Sequence, residues 1–196
     1  GYTGEGWYVA ILDTGIRSTH EFFTGKTIIE ACFASGSDGN PDDQFGDCPN
    51  GLNEMTGNGS ADHYSSNYLG YDHGTHVAGT IVSQHAGVAP NKADIYAVKI
   101  LNDDGSGEVA TLLMGIEWAI ENQMDIISMS VAYRDDNPAV RQAVLRLASY
   151  LKPYTGSLIL VFLFVQLYTV LGLLGPYLAW VSFAAVLNFT IWHMNR

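Results

Sequence analysis

No aspartate or glutamate follows Asp136, and between Pro153 and Asn195 there is no charged side chain of any kind. Within that stretch, SLILVFLFVQLYTVLGLLGPYLAWVSFAAVLNFTIW (157–192) is apolar almost throughout. A buried element of a water-soluble domain rarely needs so many consecutive apolar residues, so the segment is expected to enter a bilayer, with membrane lipid as its partner. One straight helix of this length would reach about 54 Å, against a hydrocarbon core of about 30 Å. Gly175–Pro176 offers a break, giving either one span from 157 to about 178 or a hairpin of two short spans.

The rest of the chain has the opposite character. All 20 acidic residues lie between Glu5 and Asp136, with only five lysines or arginines among them, a formal charge of −15. Such acidity repels a phosphate backbone and argues against a nucleic-acid partner. A chain of 196 residues holds one domain with a real core, or a smaller domain with an appendage.

In the acidic part, apolar runs alternate with helical spacings. GWYVAILDTGI (6–16) is a continuous apolar run ending in a turn, the pattern of a parallel strand buried on both faces. TIIEACFA (27–34), ADIYAVKIL (93–101) and DIISMSV (125–131) read as further strands. Residues 73–84 suit a helix of small residues. In 107–123, Val109, Leu112, Leu113, Ile116, Ala119 and Ile120 fall at helical spacing, and 137–151 repeats the pattern after a proline. Residues 35–70, rich in Gly, Asp, Asn and Ser, have no period and read as a long surface loop. Strands alternating with helices predict an α/β domain, a parallel sheet with covering helices. Cys32 and Cys48 flank part of that loop; they are either two thiols or, in an oxidising compartment, a disulfide worth roughly 3 kcal/mol.

The chemistry-bearing residues sit at the ends of these elements. Asp13 closes a buried strand, where an open parallel sheet places its active site. His73 opens the small-residue helix in GYDHGTHVAGTI (70–81), where Gly74, Ala78 and Gly79 allow close approach to the sheet. An acid that orients an imidazole, which in turn deprotonates a hydroxyl, is the logic of acyl transfer. His63, His73, His76 and His85 with Asp72 form an alternative, metal-binding set.

VAILDTGI, HGTHVAGT and the segment 87–130 resemble the subtilisin-like serine proteases (subtilases), in the family's order, over residues 1 to about 143. The resemblance implies peptide-bond hydrolysis through an Asp-His-Ser triad, with Asp13 as the orienting acid and His73 as the base. His76 is then structural and no metal or other cofactor is needed. Gly105, Ser106 and Gly107 would line an extended peptide substrate by strand addition. Ser130 and Val131 would line its other side, with Ala132 where the family usually has glycine. The loop 30–51 resembles one carried by secreted members, which favours the Cys32–Cys48 disulfide and an extracellular site.

Two parts of the family pattern are missing. The nucleophile motif Gly-Thr-Ser-Met-Ala occurs nowhere in the sequence, and neither does the Ala-Gly-Asn signature of the oxyanion hole. Ser60, Ser106 and Ser157 lack a nucleophile's context. Residues 1–143 are therefore expected to form the first part of a subtilase domain, an incomplete sheet inactive by itself, and 144–196 a membrane-helix segment. The stretch VLRLASYLKPYTGSLILVFLFVQLYTVLGLLGPYL also resembles the first transmembrane segment of ATP-binding-cassette exporters. This leaves as the alternative a non-catalytic membrane-anchored protein or a fused transporter fragment. Arg141, Arg146 and Lys152 before the span would place the N-terminal part in the cytoplasm, in conflict with an extracellular protease.

Overall fold

A computed structural model of the chain describes residues 4–36, 46–62, 71–90, 93–131 and 137–150. Residues 1–130 form one compact unit, and the remainder belongs to a second.

The first unit is organised by strand β1 (Tyr8–Asp13), whose residues from Val9 to Asp13 are all buried. A strand sealed on both faces needs apolar side chains at odd and even positions alike, and VAIL supplies them. Strand β4 (Asp94–Lys99) pairs with it in parallel on one side, and β5 (Ile126–Met129) on the other. Beyond β4 lies β2 (Ile28–Phe33), also parallel, and beyond that β3 (Glu54–Thr56), antiparallel to β2. The order is β3-β2-β4-β1-β5.

Helices seal the two faces of this sheet. Val9 and Ile11 of β1 pack with Ile95 and Ala97 of β4 and with Ala78 and Val82 of helix α1 (His73–Val82). On the opposite face, Leu12 and Ile100 lie under Gly115 of helix α2 (Val109–Glu121). A Cβ at Gly115 would fall 2.6 Å from Ile100, so the missing side chain sets the depth at which α2 sits. In the second unit, helix α3 (Pro138–Tyr150) begins with proline and is capped by Asn137, whose Oδ1 accepts from Ala139 N at 2.9 Å.

Two expectations are corrected. The sheet is mixed, not wholly parallel, because β3 runs antiparallel to β2. The stretch 35–70 is not structureless either, since β3 lies within it. Three residues are too few to show a period, and β3 is held by contacts distant in sequence. The Cys32–Cys48 disulfide ties its approach to β2, Ala34 N donates to Asn53 O, and Asn50 turns the chain by accepting from Leu52 N. The expected membrane segment 157–192 lies outside the described residues; among them, no helix is long and apolar enough to cross a membrane.

The disulfide joins residues 16 positions apart and is enclosed with Ala34 and Met55. Replacing both cysteines with alanine is expected to lower unfolding free energy by roughly 3 kcal/mol. Urea unfolding under non-reducing conditions measures this, and an unchanged midpoint would refute it.

Candidate active site

The carboxyl edge of the sheet gathers the ends of β1, β4 and β5, and with them Asp13, the segment from Ile100 to Gly107, and Ser130. His73, the first residue of α1, is brought to the same edge by a backbone contact. A Cβ at Gly74 would fall 2.1 Å from Gly15 O and 3.1 Å from the Asp13 Cβ, so only glycine lets the helix start this close. Gly15 has φ +110, and a Cβ there would meet Ala61 O at 2.5 Å. The turn after Asp13 is thus restricted to glycine by both its conformation and its neighbour.

This contact sets His73 Nδ1 2.7 Å from Asp13 Oδ1. A carboxylate offers only lone pairs, so Nδ1 carries the proton and Nε2 is left as the basic nitrogen. The carboxylate is buried, with 2% of its side chain exposed, while the imidazole is 48% exposed. The hydrogen bond to Asp13 raises the His73 pKa, with further help from the charges of Asp13 and Asp72, and outweighs the opposing effect of burial. A half-exposed imidazole held over a buried carboxylate can accept a proton at Nε2, and the carboxylate stabilises the resulting cation.

Thr14, which the sequence did not single out, stitches the two elements together. Its backbone N–H donates to Asp13 Oδ1 at 2.8 Å. The hydroxyl donates to Tyr71 O at 3.1 Å and accepts from Gly74 N at 3.1 Å, gripping the chain on both sides of His73. Its position beside the candidate acid was the one signal available.

Of the other predicted residues, Gly105, Ser106 and Gly107 follow β4 without forming a strand. They are exposed on a turn closed by Asn102 N donating to Ser106 O at 2.8 Å and Gly105 N to Asn102 O at 2.9 Å. Gly107 runs close under Leu101, where a Cβ would meet Cδ2 at 2.6 Å. Exposed Ser130 follows β5, and buried Val131 comes next in the chain. Ser60 is fully enclosed, and among the described residues no serine hydroxyl bonds to His73. His76 is exposed, with Nε2 3.8 Å from Asp72 Oδ2. No three His, Cys, Asp or Glu side chains converge as a metal site among the described residues. His63, Ala132 and Ser157 lie outside them.

Two outcomes are expected. Thr14→Val keeps the shape but removes the hydroxyl, leaving Gly74 N buried without its acceptor. It should lower stability by about 1–3 kcal/mol in chemical unfolding, and a neutral result would refute the stitch. The raised His73 pKa means that the folded state binds a proton more tightly than the unfolded chain. Its contribution to stability is therefore full below the ordinary imidazole value, about 6.5, and is lost as pH rises through the higher folded value. Thermal melts of the chain and of His73→Ala should converge across that window; parallel curves would contradict the hydrogen bond.

The model of the subtilase family matches residues 4–165. Subtilisin DY of Bacillus licheniformis is 37% identical over 149 residues, which cover 74% of this chain and 43% of that protein. The minor extracellular protease Epr of Bacillus subtilis is 41% identical over 127 residues, covering 62% of this chain and 18% of Epr. Among solved structures, a cold adapted subtilisin-like serine proteinase superposes with TM-score 0.53 at 26% identity, covering 76% of this chain and 45% of that one. The chain spans less than half the length of these relatives. The family match runs past residue 143 into the stretch likened to exporters, and that likeness finds no support in these comparisons. With the family's model matching most of its length, and Asp13 and His73 in register on one sheet edge, the chain belongs to the subtilase family.

Proposed function

We propose that this chain carries the acid–base half of a serine endopeptidase site, acting on extended peptides. The observation that carries the reading is the 2.7 Å contact from His73 Nδ1 to buried Asp13, with the imidazole half-exposed above it. In this reading a serine hydroxyl meets His73 at Nε2. The proton passes to the imidazole as oxygen attacks the peptide carbonyl, and is returned to the leaving amine. Gly105–Gly107 and Ser130 border the peptide on its two sides. No side chain on Gly105 or Gly107 obstructs a neighbouring strand, as backbone pairing requires. The Cys32–Cys48 disulfide favours an oxidising, extracellular setting for this part.

Neither the nucleophile motif nor the oxyanion-hole asparagine motif occurs in the 196 residues, so these residues alone should not hydrolyse peptides. A second reading, a non-catalytic peptide-binding head on a membrane segment, is favoured by the uncharged run 157–192. The two differ in what happens when a nucleophile is supplied. The 196-residue chain should show no labelling by a fluorophosphonate probe. A chimera in which a subtilase stretch bearing both the Ala-Gly-Asn and the Gly-Thr-Ser-Met-Ala motifs follows Tyr150 should cleave a chromogenic peptide, and lose that activity with His73→Ala. Stoichiometric labelling of the unmodified chain would refute the inactivity, and a folded but inert chimera would refute the acid–base reading.

A further inference from the structure

Lys99 is the last residue of β4, paired in register with Asp13, and its side chain is wholly buried. Burying an ammonium is unfavourable unless every N–H finds an acceptor, and leucine or methionine would fill the same space without that penalty. The three N–H groups of Lys99 have three close acceptors: Asp103 Oδ1 at 2.7 Å, Leu101 O at 2.9 Å and Thr14 O at 3.0 Å. A fourth oxygen, Asp47 Oδ2, lies at 3.4 Å and also accepts from Asp103 N at 3.0 Å. One ammonium thus touches the turn after the candidate acid, the start of the peptide-bordering segment, and the residue next to Cys48 of the disulfide.

The neighbouring backbone makes this arrangement specific to the site. Thr14, whose carbonyl Lys99 holds, is the residue that grips Asp13 with its N–H and both flanks of His73 with its hydroxyl. The Asp13 carbonyl accepts from Ile100 N at 2.9 Å and Leu101 N at 3.3 Å, the two residues after Lys99. The lysine stem passes beneath Gly15, where a Cβ would lie 3.5 Å from Lys99 Cδ.

We propose that Lys99 is a positioning residue of the acid–base site, acting through the Thr14 carbonyl to hold Asp13 and His73 in register with each other and with the 101–107 segment. The proposal rests on the acid–base reading above and adds to it a part for a side chain that never meets substrate. Replacing the ammonium releases Thr14 O, and the Asp13–His73 hydrogen bond loosens even though neither partner has changed.

Proton and nitrogen magnetic resonance of the His73 ring in the 196-residue chain tests this without any nucleophile. Lys99→Met leaves Asp103 buried without its cation, so the decisive variant is Lys99→Met/Asp103→Asn, which removes both charges and should recover folding. The expected result for the double variant is a His73 titration moved down toward the ordinary imidazole range and loss of the low-field Nδ1 proton signal. Lys99→Arg, which retains the charge, should hold the titration closer to that of the parent. A folded double variant with the parent's titration and Nδ1 signal would show Lys99 to be structural only and overturn the proposal. Asp13→Asn serves as the reference. If it leaves the His73 titration unmoved, the acid–base reading itself fails, and the proposal with it.

Discussion

A helix can deliver an imidazole onto a carboxylate at the end of a buried strand only if its first turn touches the strand's backbone. Here that touch is between Gly74 and the Gly15 carbonyl, a gap in which a single methyl group would lie 2.1 Å from oxygen. The rest of the site is built around this approach. It places His73 Nδ1 on Asp13, brings Gly74 N within reach of the Thr14 hydroxyl, and seats Ala78 and Val82 in the core against Val9 and Ile11. The same contact serves packing and chemistry, so a change that opens it would affect both.

Much of this was legible in the sequence because it rests on local pattern. A run such as VAIL followed by Asp can hardly be anything but a two-sided strand ending at the sheet's edge. HGTHVAG likewise announces both a tight helix and its titratable first residue. What stayed hidden depends on partners far apart in the chain. β3 is three residues long and exists because β2, the disulfide and the Asn50 turn bring it alongside. Thr14 and Lys99 look ordinary in LDTG and AVKIL, and their parts appear only when residues 57 and 85 positions apart meet. For Lys99 the cue was a lysine set in the apolar run AVKIL, since a buried charge requires partners that the local sequence does not show.

The buried polar groups in this unit differ in how fully they are satisfied. Lys99 has an acceptor for each N–H, whereas Glu30, 2% exposed, uses only Oε2, which accepts from Gly59 N at 2.5 Å. Its Oε1 has no partner among the described residues, and burial pushes the Glu30 carboxyl up, with the Asp62 charge adding to the effect. Asp13 also keeps one oxygen, Oδ2, without a partner among the described residues. There the consequence differs, because Oδ1 takes both the Thr14 N–H and His73 and so concentrates the carboxylate's bonding on the atom that orients the base. Unequal use of the two oxygens fixes the imidazole's direction as well as its distance.

Among the described residues, the contacts that hold Asp13 and His73 together come from Thr14, Gly15, Tyr71, Gly74, Ile100 and Leu101, with Lys99 and its two carboxylates beneath. None of them needs the nucleophile in order to form. An electrostatic device accelerates a reaction most when its dipoles and charges are already in place, because nothing then has to reorganise as charge develops. Under the proposed function, holding Asp13 and His73 within one network would meet that condition. The 101–107 segment is drawn into the same network at Leu101 and Asp103, so under the proposed function the peptide and the base would share one reference point, the carboxyl end of β4. A serine brought to this edge would meet an imidazole whose tautomer and orientation are already set, and it would have only its own hydroxyl left to align.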